Sequence, residues 1–360
     1  MAEQDDIPFY QKPEWADVVP IPQDDGPNPL VPIAYTREYS TTMGYFRAMC
    51  RTQEKSERAL DLTKIVIELS PSHYTVWYYR QQLLKELNKD LKEEMTWIEW
   101  MINEHPKSYQ IWHHRQVIVG RIATTLFTPS DSTNTTAQST IPTAQATEAA
   151  VQYDTLSESQ KTAVNDLVKA ELEVIAESLK DDTKNYHAWS YRQWVLAHFG
   201  LGPWWVDELA YTEELIAEDV RNNSAWNQRY FVVTNAKAEG LTEEDVQREV
   251  QFAKSKIEKT PSNESPWVYL AGILRKGNHP ISEIKEFCEG LLSLPRANFS
   301  PFVHSTLLDI YEAEAKEQRS AASVEKAKEE AIMLAEKVDP IRIKYWNWRK
   351  TQLQKIEVLA

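Results

Sequence analysis

Three cations occupy one register of this chain. Lys107, Lys184 and Arg221 each stand five residues before a tryptophan (Trp112, Trp189, Trp226) and directly before Ser108, Asn185 or Asn222. Serine and asparagine are favoured helix N-caps, so the register predicts a helix starting just after each cation. A helix start carries free N–H groups and the positive end of a dipole, and a lysine or arginine beside it suits a phosphate or a carboxylate. Two readings fit these residues: an anion site along successive helix starts, or solvated cations beside ordinary caps. Tyr74, Tyr109 and Tyr186, each three residues before a tryptophan, either pack or present a hydroxyl on the same edge, and Tyr74 is expected to pack. Arg192 lies beyond Lys184 and Tyr186, on the helix predicted to start after that lysine. His113, His114 and His187 are read as single surface residues without metal-ligand spacing.

What must position these residues is a repeat. Trp77, Trp112, Trp189, Trp226, Trp267 and Trp346 are each followed seven residues later by Leu or Val, and all but Trp267 carry an arginine three residues on. Neighbouring copies lie 35, 37 or 41 residues apart, the period of helix-pair solenoids. Ser300-Pro301-Phe302 echoes Ser265-Pro266-Trp267, so Phe302 heads a degenerate copy. In one unit Leu91, Met95, Ile98 and Ile102 make an apolar face, Pro106 ends that helix, and a second is predicted from about Tyr109 to Ile122. The fold class is therefore all-α: a right-handed superhelical solenoid, a tetratricopeptide-like crescent of about seven helical hairpins. The tryptophans are expected to be its interlocking core, facing the next unit. The repeated arginines read as stacking or salt-bridging elements. Residues 1–40 form an extended, proline-rich segment and 41–360 the repeat domain. A Thr/Ser-rich insertion at 124–147 is too poor in large apolar residues to order itself and is expected to loop out.

Composition narrows the function. The net charge of −14 argues against nucleic-acid binding. No run of 18 apolar residues is present and the acidic start is unlike a signal peptide, so the chain is expected to be cytoplasmic and not membrane-spanning. Two cysteines, Cys50 and Cys288, give neither a disulfide framework nor a zinc motif.

The strings NYHAW (185–189), RNNSAWNQR (221–229) and YQIWHHR (109–115) resemble the repeats of protein prenyltransferase alpha subunits. Glu14-Trp15-Ala16-Asp17, IPQDDGPNPLVPIAY (21–35) and SERALDLT (56–63) are similar to the branch shared by protein farnesyltransferase and type I geranylgeranyltransferase. The resemblance implies half an enzyme. It implies a beta subunit of either enzyme as partner, carrying the zinc and most of both substrate sites, and magnesium accompanying the diphosphate in farnesyl transfer. The substrates implied are a prenyl diphosphate and proteins with a C-terminal CaaX sequence, whose cysteine thiolate is alkylated. By the same resemblance Lys184 and Tyr186 face the diphosphate, and Gln110 binds the peptide's terminal carboxylate. Arg192, Asn222 and Trp226 position helix ends or the subunit interface. Ser108 stands where many relatives have asparagine. The rival classes are a Rab geranylgeranyltransferase alpha subunit and a non-catalytic tetratricopeptide-like peptide-binding scaffold.

Overall fold

A computed structural model of the chain describes residues 8–127 and 153–356. All the regular structure in these residues is helical, and the chain divides into two compact units at Phe199/Gly200, with Tyr153 and Asp154 counted with the second. The first unit holds α1 (Arg37–Thr52) and three hairpins: α2 (Glu57–Leu69) with α3 (Tyr74–Glu86), α4 (Leu91–Glu104) with α5 (Tyr109–Phe127), and α6 (Glu158–Asp181) with α7 (Tyr186–Phe199). The second holds α8 (Trp204–Glu218) with α9 (Asn223–Asn235) and α10 (Glu243–Lys259) with α11 (Glu264–Lys276). A short α12 (Lys285–Leu291) with α13 (Pro301–Gln318), and α14 (Ala321–Met333) with α15 (Ile343–Leu353), complete it. Seven hairpins are thus present, as the repeat predicts, and Phe302 does head a second helix.

The repeated tryptophan has two jobs. Its ring packs toward the next hairpin, as in Trp112 on Tyr191 (5.5 Å between centroids) and Trp226 on Tyr269 (5.1 Å). Its indole N–H closes its own hairpin loop: Trp77, Trp112, Trp189, Trp226 and Trp267 donate at 2.8–2.9 Å to the carbonyl six residues back. A buried indole needs such an acceptor, and this one comes from the loop carbonyl the hairpin must satisfy anyway.

The repeated arginines are staples. Arg80 grips Glu94 at 2.6–2.7 Å, Arg115 grips Glu171 at 2.6–2.8 Å and Arg229 grips Glu249 at 2.7–3.1 Å, each glutamate lying on the first helix of the following hairpin. A second partner holds each carboxylate from its own hairpin: His114 on Glu94 (2.8 Å), Tyr191 on Glu171 (2.7 Å) and Tyr269 on Glu249 (2.7 Å). Where Leu270 replaces the arginine, the position of the glutamate, 18 residues before the heading aromatic, is Ile284, and both are buried in the same core.

Two expectations change here. His114 is fully buried against Glu94, not a surface residue, because its register points it at the carboxylate rather than at water. Helix α5 runs on to Phe127, with the Thr124 and Thr125 hydroxyls donating to the Gly120 and Ile122 carbonyls, so the helix enters the 124–147 stretch; residues 128–147 lie outside the described residues.

The N-terminal segment, residues 8–36, carries two 3-10 turns, Phe9–Gln11 and Pro13–Trp15, and is otherwise without regular structure; α1 starts at Arg37, just before the boundary at 40. It is tied down at Ile21, whose N–H donates to the Gly44 carbonyl (3.0 Å) and whose carbonyl accepts Arg47 Nε (2.8 Å). Further back, Trp15 is buried against Phe9 and Tyr45, under the guanidinium of Arg58, which also pairs with Asp17 and Glu54.

Candidate functional site

Lys184 sits in a turn built by Asp182. One oxygen of that carboxylate accepts the Lys184 backbone N–H at 3.1 Å, and the Asp182 carbonyl accepts the Asn185 N–H at 3.0 Å. Asn185 then caps α7, its side-chain oxygen accepting the N–H groups of His187 (3.0 Å) and Ala188 (3.4 Å). The same turn recurs in the second unit: Asp219 accepts the Arg221 N–H at 2.9 Å, and Asn222 caps α9 through Ser224 and Ala225. The recurring string Asp-x-Lys/Arg-Asn was present in the sequence, and its aspartate was overlooked there. The caps consume N–H groups that a helix start would otherwise offer, so the anion-binding capacity rests on the side-chain cations and the helix dipole.

The cations are not equivalent. Lys107 pairs with the second oxygen of Asp182 at 3.2 Å. No carboxylate lies within ion-pair distance of Lys184 Nζ among the described residues, and the lysine is exposed. Between them, the Lys184 N–H and the Lys107 ammonium hold the Asp182 carboxyl below the usual carboxylate range. Tyr186, the first residue of α7, is 75% exposed, its ring edge-on to His187. Tyr109 and Tyr74 are likewise exposed; Tyr74 does not pack, because its helix start faces away from the core.

Gln110 is half-buried at the start of α5 and lines a shallow depression of about 590 Å³ with Pro71, Pro106, Lys107, Ser108 and Tyr109. The loop ahead of Gln110 is tied to the Lys184 turn twice, by Lys107–Asp182 and by Asn185 Nδ2, which donates to the Pro106 carbonyl at 2.9 Å. That carbonyl also accepts the Trp112 indole. The structure therefore brings Lys184, Tyr186 and Gln110 to two helix starts of one unit whose leading loops are joined. One joint further back the tie is longer: Ser108 Oγ donates to the Pro71 carbonyl at 3.4 Å.

Arg192, Asn222 and Trp226 are placed differently. Arg192 is 3% exposed and donates to the Leu172 carbonyl at 3.0 Å, in the staple register rather than on the loop edge. Asn222 and Trp226 are buried in the second unit, the first as a cap and the second packed on Phe252 and Tyr269. None of the three presents its side chain to solvent.

Neither cysteine is a nucleophile or metal ligand in waiting. Burial pushes the Cys50 thiol up to about 11 and Cys288 up to about 12. Among the described residues no three His, Cys, Asp or Glu side chains converge to hold a metal ion. No described helix is long and apolar enough to cross a membrane.

Comparison with known proteins places this architecture. The family described as "Protein prenyltransferase alpha subunit repeat" matches residues 56–87, 91–122, 168–199, 205–236 and 246–277, five of the hairpins above. The chain is similar to the protein farnesyltransferase/geranylgeranyltransferase type-1 subunit alpha of Dictyostelium discoideum, 36% identical with 97% of this chain and 95% of that protein covered. It is likewise similar to that of Solanum lycopersicum, 37% identical over 97% and 92%. The structure of "Candida albicans protein geranylgeranyltransferase-I complexed with GGPP" superposes with a TM-score of 0.77 at 28% identity, covering 95% of this chain and 99% of that one. Similarity to the human geranylgeranyl transferase type-2 subunit alpha is weaker and partial, 24% over 62% of this chain and 35% of that protein. With near-complete coverage by the type-1 subunits and only partial coverage by the type-2 subunit, the chain belongs to the protein farnesyltransferase/geranylgeranyltransferase type-1 alpha subunit family.

Proposed function

We propose that this chain is the alpha half of a heterodimeric CaaX prenyltransferase of the cytoplasm. With a farnesyltransferase or geranylgeranyltransferase type I beta subunit, it transfers the prenyl group of a prenyl diphosphate to a C-terminal cysteine thiolate. The observation that carries this is similarity to the type-1 alpha subunits along nearly the whole chain, the N-terminal segment included. A plain peptide-binding scaffold has no use for that segment, and the type-2 subunits match too short a span to be preferred.

In this reading zinc and magnesium stay outside the chain, on the partner and with the diphosphate. The chain's own contribution is electrostatic. When the allylic carbon–oxygen bond breaks, negative charge builds on the departing diphosphate, so a cation aimed there lowers the barrier more than it tightens binding. Lys184 suits the role because its ammonium has no acidic partner to leave among the described residues. Tyr186, two residues on and exposed, adds a hydroxyl donor on the same turn. Gln110 offers an amide to the peptide carboxylate from the neighbouring loop, and the Asn185–Pro106 bond keeps the two loops in register. Arg192 anchors α7, the helix that starts at Tyr186, while Asn222 and Trp226 serve α9 of the second unit.

The test is transfer to a fluorescent CaaX peptide by this chain alone and by the chain co-purified with either beta subunit. Transfer by the heterodimer only is the expected result. Failure to form a complex or to transfer with both beta subunits would overturn the proposal.

A further inference from the structure

Asp182 raises a question that the proposed role of Lys184 does not answer. It is the carboxylate nearest in sequence to that lysine, two residues before it, and its charge is felt there. A flexible ammonium next to an exposed carboxylate ordinarily pairs with it. A lysine so paired would meet a diphosphate with its charge already half-spent, and the carboxylate itself would repel the anion.

The geometry removes both obstacles. The two oxygens of Asp182 are divided: Oδ1 accepts the backbone N–H of Lys184 at 3.1 Å, and Oδ2 is engaged by Lys107 Nζ at 3.2 Å. Lys107 comes from the preceding hairpin, from the loop that leads to Gln110. Neither Lys107 nor Asp182 is deeply buried, so the pair adds little to fold stability, as exposed pairs generally do. Its effect is on local charge and on the backbone of one turn. In the equivalent turn of the second unit Asp219 accepts the Arg221 N–H in the same way, and no ion pair to Asp219 occurs among the described residues. The engaged second oxygen is thus particular to the Lys184 turn.

We infer that Asp182 and Lys107 are positioning residues for prenyl transfer: Asp182 fixes the Lys184 backbone, and Lys107 occupies its remaining oxygen, which leaves the Lys184 ammonium free for the diphosphate. The inference rests on Lys184 acting at the diphosphate. It predicts an interaction between two variants that loss of structure cannot produce. In Lys107→Ala the freed carboxylate captures Lys184. In Lys107→Ala with Asp182→Asn, the amide oxygen still accepts the Lys184 N–H but holds no charge to capture the ammonium.

The experiment uses the heterodimer, with kcat for a CaaX peptide and KM for the prenyl diphosphate as paired readouts. Lys107→Ala should lower kcat by up to about fivefold, the scale of an exposed ion pair, with KM for the prenyl diphosphate nearly unchanged. Adding Asp182→Asn should bring kcat back to within about twofold of the parent. An unchanged Lys107→Ala enzyme, or a double variant no better than the single one, overturns the inference. Lys184→Ala, measured alongside, separates the two levels: if it keeps full turnover, the role of Lys184 itself fails, whereas a loss there without the Lys107/Asp182 interaction sinks only the positioning role.

Discussion

Replacing Arg229 by leucine tests what the repeated staples do. Its guanidinium makes two bonds to Glu249, at 2.7 and 3.1 Å, with both side chains buried, and lies 3.8 Å from the centre of the Phe252 ring. Removing one partner of a buried pair costs about 3–5 kcal/mol, because the other charge is left without compensation. Glu249 would keep the Tyr269 hydroxyl at 2.7 Å and Arg248 at 2.9 Å, which puts the expected loss near the lower end, about 3 kcal/mol. For a unit of this size that lowers the apparent Tm by roughly 6–12 °C. The chain also contains its own apolar alternative, Leu270 paired with Ile284 in place of the arginine and glutamate. Arg229→Leu combined with Glu249→Ile and Tyr269→Phe, which removes the hydroxyl left without its acceptor, should therefore return to within about 1 kcal/mol of the parent. The assay is thermal unfolding of the heterodimer, with hydrogen exchange of the α9 and α10 amides as the local readout. A triple variant as unstable as Arg229→Leu would refute the reasoning, since the pair would then stabilise in its own right. So would a silent single variant.

Lys184→Ala should lower kcat for the CaaX peptide about 10- to 100-fold with prenyl diphosphate affinity and heterodimer yield nearly intact; an equal loss of affinity would assign the lysine to ground-state binding. Lys107→Ala should be much milder. Acid should destabilise the first unit in two windows. Burial pushes the His114 imidazole below its ordinary value, so stability falls as pH drops below about 6.5, where the unfolded chain takes up a proton that the native state refuses. Burial alone would raise Glu94, but its bonds to His114 and Arg80 hold it at about 2, so its contribution, about 3 kcal/mol, is full above about pH 4.5 and is lost as pH falls toward 2. An acid-unfolding midpoint unmoved by Glu94→Gln would count against this. Gly44→Ala places a Cβ 3.1 Å from Pro20 Cβ and should loosen the N-terminal segment, read as faster proteolysis ahead of α1 with the helices still protected.

The fold was legible because the tryptophan repeat is periodic and its spacing constrains the architecture. The staples were only half legible. Five arginines at one register announced a structural element, but the glutamates that hold Arg80, Arg115 and Arg229 lie 18 residues before the next tryptophan, on another helix, a spacing that becomes meaningful only once hairpins are stacked. His114 shows the same limit: single-helix reasoning put it on the surface, and the glutamate of its own hairpin's first helix put it in the core. The extent of α5 past Ala123 was missed because threonine-rich composition marks a loop, while each threonine hydroxyl can return a hydrogen bond to the helix backbone behind it.

The candidate site was legible as a row of cations and illegible as a division of labour. Lys107 and Lys184 hold the same register, and no property of either residue alone separates them. What separates them is Asp182, which has two oxygens and can satisfy a backbone N–H with one and an ammonium with the other. The ammonium it takes comes from the neighbouring hairpin, and the adjacent lysine has no ion-pair partner among the described residues. A charge at a helix start becomes useful chemistry only when its nearest counter-charge is already engaged, and that is a property of two stacked loops.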